Sequence, residues 1–328
     1  MGRLSSVGDR SPDRRAKALI LELQELIQRL LPTHPSRGRL SFVAVHHGKL
    51  VFLAFRQGAR EPEFVVTVSS EKEVRRLHDV LTRLYQSIPR LTAQSLAIGR
   101  LSDGRFVQIQ SAFPGLPWVS LAGSLHRGDR RRVYARALDV LRGLHAAIDA
   151  IPSWHSQISP SAELRRQLDL CAQYDVSLSA GVLRFAESSI EHLAELGEIF
   201  CHWQHGDFCT NNLMVAGPDV RIFDFDEFGL TAMPLHDQFG LALSVHELAP
   251  ADGTGRPLAE EVQTCTAAAL GRRPALAGYV RGLLVHHLLW HVNLCHDHPA
   301  RAERMKAVLK QLEEFAAAPG EYVRPSVG

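Results

Sequence analysis

The stretch from His205 to Asp226 constrains this chain more than any other. It reads His205-Gly206-Asp207-Phe208-Cys209-Thr210-Asn211-Asn212, then two short apolar runs, Leu213 to Ala216 and Val220 to Phe223, then Asp224-Phe225-Asp226. Gly217-Pro218-Asp219 between the runs is strong turn chemistry, so the runs predict a β-hairpin. Asn212 precedes the first strand and Asp224 follows the second, which sets them side by side at the hairpin's open end. A carboxylate and an amide oxygen on adjacent strands make a hard oxygen site suited to Mg²⁺. Asp207, five residues upstream in a loop that must pass the same point, offers a third oxygen able to accept a proton from an incoming hydroxyl. If the second strand persists beyond Asp224, Asp226 shares its face and could help hold metal or contact substrate, a structural or supporting role being preferred.

The rest of the chain supplies two kinds of surroundings. Ser11-Pro12-Asp13 predicts a helix start, and Ala16, Leu19, Ile20, Leu23, Leu26, Ile27 and Leu30 give that helix an apolar stripe ending near Pro32. Strands are predicted at Leu40 to Val45, Leu50 to Phe55 and Glu63 to Val68. Ser70 and Glu73 then form a capping box for a helix carrying Val74, Leu77, Leu81, Leu84, Tyr85 and Ile88. Strands at Ser95 to Arg100 and Arg105 to Gln110 follow. Strand propensity yields to Pro and Gly over Gln110 to Pro117, a linker signature. After residue 125 the pattern is helical almost throughout, with helices at about 161–174, 180–198, 236–248, 257–270, 274–296 and 299–316.

The motif, together with this order of elements, resembles the aminoglycoside phosphotransferase family, which includes choline and homoserine kinase relatives and shares the protein-kinase-like fold. Protein kinases space a catalytic Asp and a metal-binding Asn in the same way. The resemblance implies an α+β, bilobal kinase-like fold. Its parts are an N-terminal tail and amphipathic helix (1–33), a small antiparallel-sheet lobe for the nucleotide (34–113) and a larger helical lobe (114–328). It implies Asp207 as the catalytic base and Asn212 and Asp224 as metal ligands, with ATP or another NTP and Mg²⁺ as cofactors. By position, Ser111 and Phe113 would offer backbone groups to the adenine. Asp237 matches an Asp that braces the catalytic loop, and Leu144-His145 sits where the family has such a pair. The acceptor would be a hydroxyl on a metabolite, a sugar or an aminoglycoside-like molecule. Glu163, Asp169 and Asp175 are acids that could meet a cationic one.

The sequence departs from the pattern at one place. Kinase-like folds carry a Lys on the third strand that grips the phosphates. Here Phe64-Val65-Val66-Thr67-Val68 puts Thr67 at that position. The lysines are Lys17, Lys49, Lys72, Lys306 and Lys310, which leaves Lys49 and Lys72 as the candidates to reach the nucleotide. The Gly-rich phosphate loop is reduced to Gly48. Two readings follow: a working small-molecule kinase with weak nucleotide affinity, or a nucleotide-binding pseudokinase or scaffold.

Composition excludes other classes. A net charge of +2 over 328 residues gives no field for nucleic acid or an acidic membrane. No apolar run reaches the ~18 residues of a membrane span. The five cysteines form no Cys-x-x-Cys pair, so a reducing cytoplasm is expected. No long activation segment with an Ala-Pro-Glu motif follows Asp224, which disfavours a protein substrate. His286, His287, His291, Cys295, His296 and His298 cluster late in the chain. His287, His291 and Cys295 share one helix face, and the reading preferred from spacing alone is a polar helix face rather than a metal site.

Overall fold

The computed structural model describes residues 12–34, 39–46, 50–248, 258–296 and 301–317. Gly48, Lys49, His298 and residues 1–11 of the expected tail lie outside the described residues. The chain divides into two compact units at Gly115.

The first unit is built on a five-stranded antiparallel sheet of order β1-β2-β3-β5-β4. The strands are β1 (Leu40–His46), β2 (Leu50–Arg56), β3 (Phe64–Ser69), β4 (Ser95–Arg100) and β5 (Phe106–Ser111). Alternation along β3 buries Phe64, Val66 and Val68 on one face, the period that a half-covered strand demands. The stripe of helix α1 (Pro12–Leu30) closes that face: Leu23, Leu26 and Ile27 share a core with Phe52, Ala54, Phe64, Val66, Val107 and Ile109. The amphipathic N-terminal helix therefore belongs to the sheet unit. Helix α2 (Glu71–Ser87) buries Val74, Leu77, Leu81 and Leu84, and Ser70 caps it by accepting the Glu73 N–H at 3.3 Å.

The second unit begins with β6 (Leu116–Pro117) and helix α3 (Trp118–Leu121), followed by α4 (Arg127–Asp149), β7 (His155–Ile158), α5 (Pro160–Gln173), α6 (Ala180–Ala194) and β8 (Ile199–His202). After the motif loop come β9 (Leu213–Ala216), β10 (Asp219–Ile222), α7 (His236–Leu248), α8 (Leu258–Arg272), α9 (Val280–His296) and α10 (Ala302–Ala317). The predicted hairpin is β9–β10, paired Leu213 with Ile222 through Ala216 with Asp219. Gly217 takes φ +59° at its turn, the positive angle that a tight primed turn requires and only Gly adopts freely. β6 adds a third strand to it, and β7 pairs with β8. Neither pairing was legible: β6 has two residues and contains Pro117, and β7 and β8 are four residues each, too short for a periodic signal. The helix that the sequence reads to 198 ends at Ala194, and a turn leads from it into β8. Pro274 starts a 3₁₀ segment, so the predicted helix from 274 becomes α helix only at Val280. No described helix is long and apolar enough to cross a membrane.

Candidate active site

The motif loop is held from behind by one carboxylate. Asp237 stands in the first turn of α7, fully buried. Its Oδ2 accepts the His205 backbone N–H and the His145 Nε2–H, each at 2.8 Å, and its Oδ1 accepts the Gly206 N–H at 3.0 Å. His145, on α4, is oriented in turn by Gln238, whose Nε2 donates to Nδ1 at 3.3 Å. Burial alone would raise the Asp237 carboxyl. The His145 hydrogen bond and the neighbouring imidazoles outweigh it and hold the group well below the usual carboxylate range. The bracing expected of Asp237 is what these bonds describe.

Gly206 must be glycine. Its φ is +91°, and a Cβ there would lie 2.6 Å from the Glu227 carbonyl oxygen. Gly206→Ala is therefore expected to destabilise the protein by about 1–3 kcal/mol through left-handed strain and overlap with backbone. Thermal unfolding checks this; a midpoint within error of wild type would show that the loop relaxes freely.

Asp207 follows, with its side chain 19% exposed. The Asn212 Nδ2 donates both to its carbonyl oxygen and to its Oδ2, at 2.9 Å each. The Arg304 guanidinium of α10 lies 3.4 Å from Oδ1. Burial pushes this carboxyl up, but Arg304, His291, His205 and the Asn212 bond together carry it below its ordinary value. It is therefore ionised across the neutral range.

Asn212 sits where the hairpin opens, and the next cross-strand contact is the Phe223 N–H to its carbonyl oxygen at 3.1 Å. Asp224 is thus one residue beyond the pairing, exposed, with φ +62°. Asp tolerates this region better than most residues, at a cost of roughly 1–3 kcal/mol. The strand does not persist past it. β10 ends at Ile222 and a turn runs from Asp226 to Gly229, so Asp224 and Asp226 do not share a strand face as the sequence suggested. The turn instead delivers Glu227. Its carboxyl is pushed up to about 8 by burial and then by Asp207, against Arg301 and Arg304, with Asp224 adding to the rise. Its Oε2 is buried without a hydrogen-bond partner among the described residues, and its Oε1 lies 3.9 Å from Arg301.

A cavity of about 320 Å³ adjoins Asp207. Its walls come from α7 (Leu243, Ser244, Glu247), α9 (His287, His291) and α10 (Arg304, Val308, Gln311). Glu163, Asp169 and Asp175 are not among its lining residues. Glu163 is paired with Arg166 at 2.7 Å, and Asp169 and Asp175 are exposed elsewhere on or after α5. The acids that do line the cavity are Asp207 and Glu247, the latter accepting from Gln311 at 3.1 Å.

The remaining candidates lie in the first unit. Thr67 is half-buried on β3, opposite Val51 and Gln108. Lys72 is exposed in the first turn of α2. Glu73 is engaged by the hydroxyls of Ser69 and Ser70. Ser111 ends β5, its N–H donating to the Gln94 carbonyl at 2.9 Å and its hydroxyl accepting the Gln94 N–H at 3.0 Å. Phe113 lies just beyond, before the boundary at Gly115.

The profile of the phosphotransferase enzyme family (APH) matches residues 43–279, most of the chain and all of the motif. The chain belongs to this family. This phosphotransferase accordingly has an alcohol group as its acceptor. None of the curated proteins compared with it matches. Among solved structures it is similar to a thermostable mutant of aminoglycoside phosphotransferase APH(4)-Ia in ternary complex with AMP-PNP and hygromycin B, at TM-score 0.63 and 14% identity, covering 91% of this chain and 99% of that one. It is also similar to wild-type aminoglycoside 2'-phosphotransferase-IIIa in its GDP complex, at TM-score 0.62 and 14% identity, with the same coverage. The fold is thus the kinase-like one of these enzymes.

Sequence reasoning about the phosphotransferase missed Glu227 and Arg304. Glu227 is three residues past Asp224 and was hidden by the assumption that the strand continues. Arg304 sits on a helix nearly a hundred residues later, where nothing local distinguishes it from other arginines.

Proposed function

We propose that the protein transfers the γ-phosphoryl group of ATP, or of another NTP, to a hydroxyl of a small molecule, with Mg²⁺ as the metal. The observation that carries this reading is the Asn212 amide. Its side-chain nitrogen is tied to Asp207 while the backbone carbonyl of the same residue continues the hairpin to Phe223, so one rigid piece of chain holds a base and the metal-ligand candidates at fixed spacing. The donor set fits a hard divalent cation. With Nδ2 committed to Asp207, Asn212 has Oδ1 to offer; Asp224 is an exposed carboxylate; and Glu227 Oε2 is a buried oxygen lacking a partner beside two other carboxylates. When bound, such a cation supplies charge neutralisation for the phosphoryl group in flight. Asp207, ionised and held by Asn212 and Arg304, orients the acceptor hydroxyl and takes its proton. The cavity beside it, small and mixed in polarity, suits a compact alcohol such as a sugar or a metabolite. An aminoglycoside, the class of acceptor seen with APH(4)-Ia, is the larger end of the range. The five thiols, buried and unpaired, fit a cytoplasmic location.

Ser111 and Phe113 are the proposed adenine contacts. Lys72, with Lys49, is the proposed phosphate contact in place of a third-strand Lys. Thr67 favours a second reading, a nucleotide-binding scaffold with little transfer. Turnover against a panel of hydroxylated metabolites separates the two. Asp224→Asn is expected to abolish Mg-dependent nucleotide binding, read by calorimetric titration of ATP with and without Mg²⁺, with circular dichroism unchanged. Wild-type Mg·ATP affinity in that variant would remove Asp224 from the metal site. No nucleotide binding by the wild type under any condition would remove the whole reading.

A further inference from the structure

Behind Asp207 lies a group of imidazoles that phosphoryl transfer does not use. His236 opens α7, and His287 and His291 sit one turn apart on one face of α9. They are 1%, 1% and 5% exposed. Their rings touch: centroids are 4.4 Å apart for His236 and His287, 4.5 Å for His287 and His291, and 5.8 Å for His236 and His291. One nitrogen of each lies within 4.8 Å of the corresponding atoms of the other two.

The tautomer of His236 is fixed by its neighbour. Its Nε2 lies 3.1 Å from the Gly206 carbonyl oxygen, which only accepts, so Nε2 carries the proton and Nδ1 the lone pair. That Nδ1 is buried and meets no hydrogen-bond partner among the described residues. Among the same residues neither nitrogen of His287 has a partner, nor has His291 Nδ1. Buried polar atoms nearly always find a partner, and such a convergence is costly unless something satisfies it. The rings are also in the form that ligates metals. Burial, then the Arg304 charge, pushes His291 down to about 3, and burial likewise lowers His236 and His287.

We infer that His236 Nδ1, His287 and His291 form a binding site for one divalent ion of the zinc class. Three neutral imidazoles select a borderline ion such as Zn²⁺ over Mg²⁺ or Ca²⁺, which take oxygen ligands. Three protein ligands leave a fourth position, and His287 and His291 both line the cavity beside Asp207, from which it is reached. A ligating His characteristically donates its other N–H to a carbonyl or carboxylate. Here that carbonyl is Gly206's, immediately before Asp207, so a loaded site pins the motif loop from the rear. Cys295, which the spacing on α9 grouped with His287 and His291, is not part of this cluster; the third donor comes from α7.

The test uses the full chain stripped with a chelator and titrated with Co²⁺, then Zn²⁺. The expected result is one Co²⁺ per chain, with the visible bands of a nitrogen-ligated site and no thiolate charge-transfer band. Zn²⁺ should displace it and a large excess of Mg²⁺ should not. His287→Gln and His291→Gln should each weaken binding by at least about 100-fold, whereas Cys209→Ser and His296→Gln should not. No Co²⁺ uptake by the wild type overturns the proposal. So does a thiolate band, loss of binding in Cys209→Ser, or unchanged binding in both His variants. Should a His variant fail to fold, the wild-type stoichiometry and spectrum decide alone.

Discussion

Asp207→Asn is expected to slow phosphoryl transfer by roughly 10²–10⁴-fold while nucleotide affinity stays at the wild-type level, the usual range for a positioned acid or base. The substitution keeps the shape of the side chain, and an amide oxygen still accepts from the Asn212 Nδ2 that now sits 2.9 Å from Oδ2. The loop and hairpin therefore hold, and what is lost is the negative charge that, in the proposed mechanism, takes the acceptor proton. Because the wild-type carboxyl is held below its ordinary value, activity should persist as pH falls through the usual carboxylate range and fail only below it. Single-turnover kinetics separates the chemical step from binding. A variant that loses ATP affinity and transfer in the same proportion would make Asp207 a binding residue instead.

Asp237→Ala should cost about 3–5 kcal/mol of stability, the range for removing one partner of a buried charged network. Three donors are left facing nothing: the His205 and Gly206 N–H groups and His145 Nε2. For a unit of this size about 1 kcal/mol moves the melting temperature by roughly 2–4 °C, so the shift should be readily measured. The pH dependence has a definite sign. The Asp237 carboxyl is lowered from its model-compound value of 3.8, so its contribution is complete above that value and fades as pH falls through the lower folded one. The gap in melting temperature between wild type and variant should thus be full at neutral pH and narrow in strong acid. An equal gap at both would mean that the loss is one of packing rather than of charge.

What was legible in the sequence was local. The hairpin announced itself through Gly217-Pro218 between two apolar runs, the cap of α2 through Ser70 and Glu73, and the sheet unit through period-two alternation. Asn212 and Asp224 could be placed at one end of the hairpin because pairing register is set by its turn. What was not legible depended on where distant elements land. Glu227 needed the chain to leave the strand at Asp224 and turn back over Gly206. Arg304 needed α10 to cross the motif loop. The imidazoles of α9 looked like a helix face because their third companion, His236, is on another helix. The acids Glu163, Asp169 and Asp175 illustrate the converse: a suitable residue type says nothing of which cavity it reaches.

The cavity beside Asp207 is walled by α7, α9 and α10 together with Asp207, Cys209, Thr210 and Asn211 of the motif loop, and that loop is fastened to the hairpin through Asn212. Leu243, Glu247, Val308 and Gln311 make none of the bonds that fasten that piece. Under the proposed reading, these four side chains shape the acceptor's cavity without fastening the loop and hairpin that would carry the chemistry. A library randomised at those four positions should change which alcohol is taken without returning a large fraction of inert proteins, which makes this scaffold a candidate for redirecting phosphorylation to new hydroxyls.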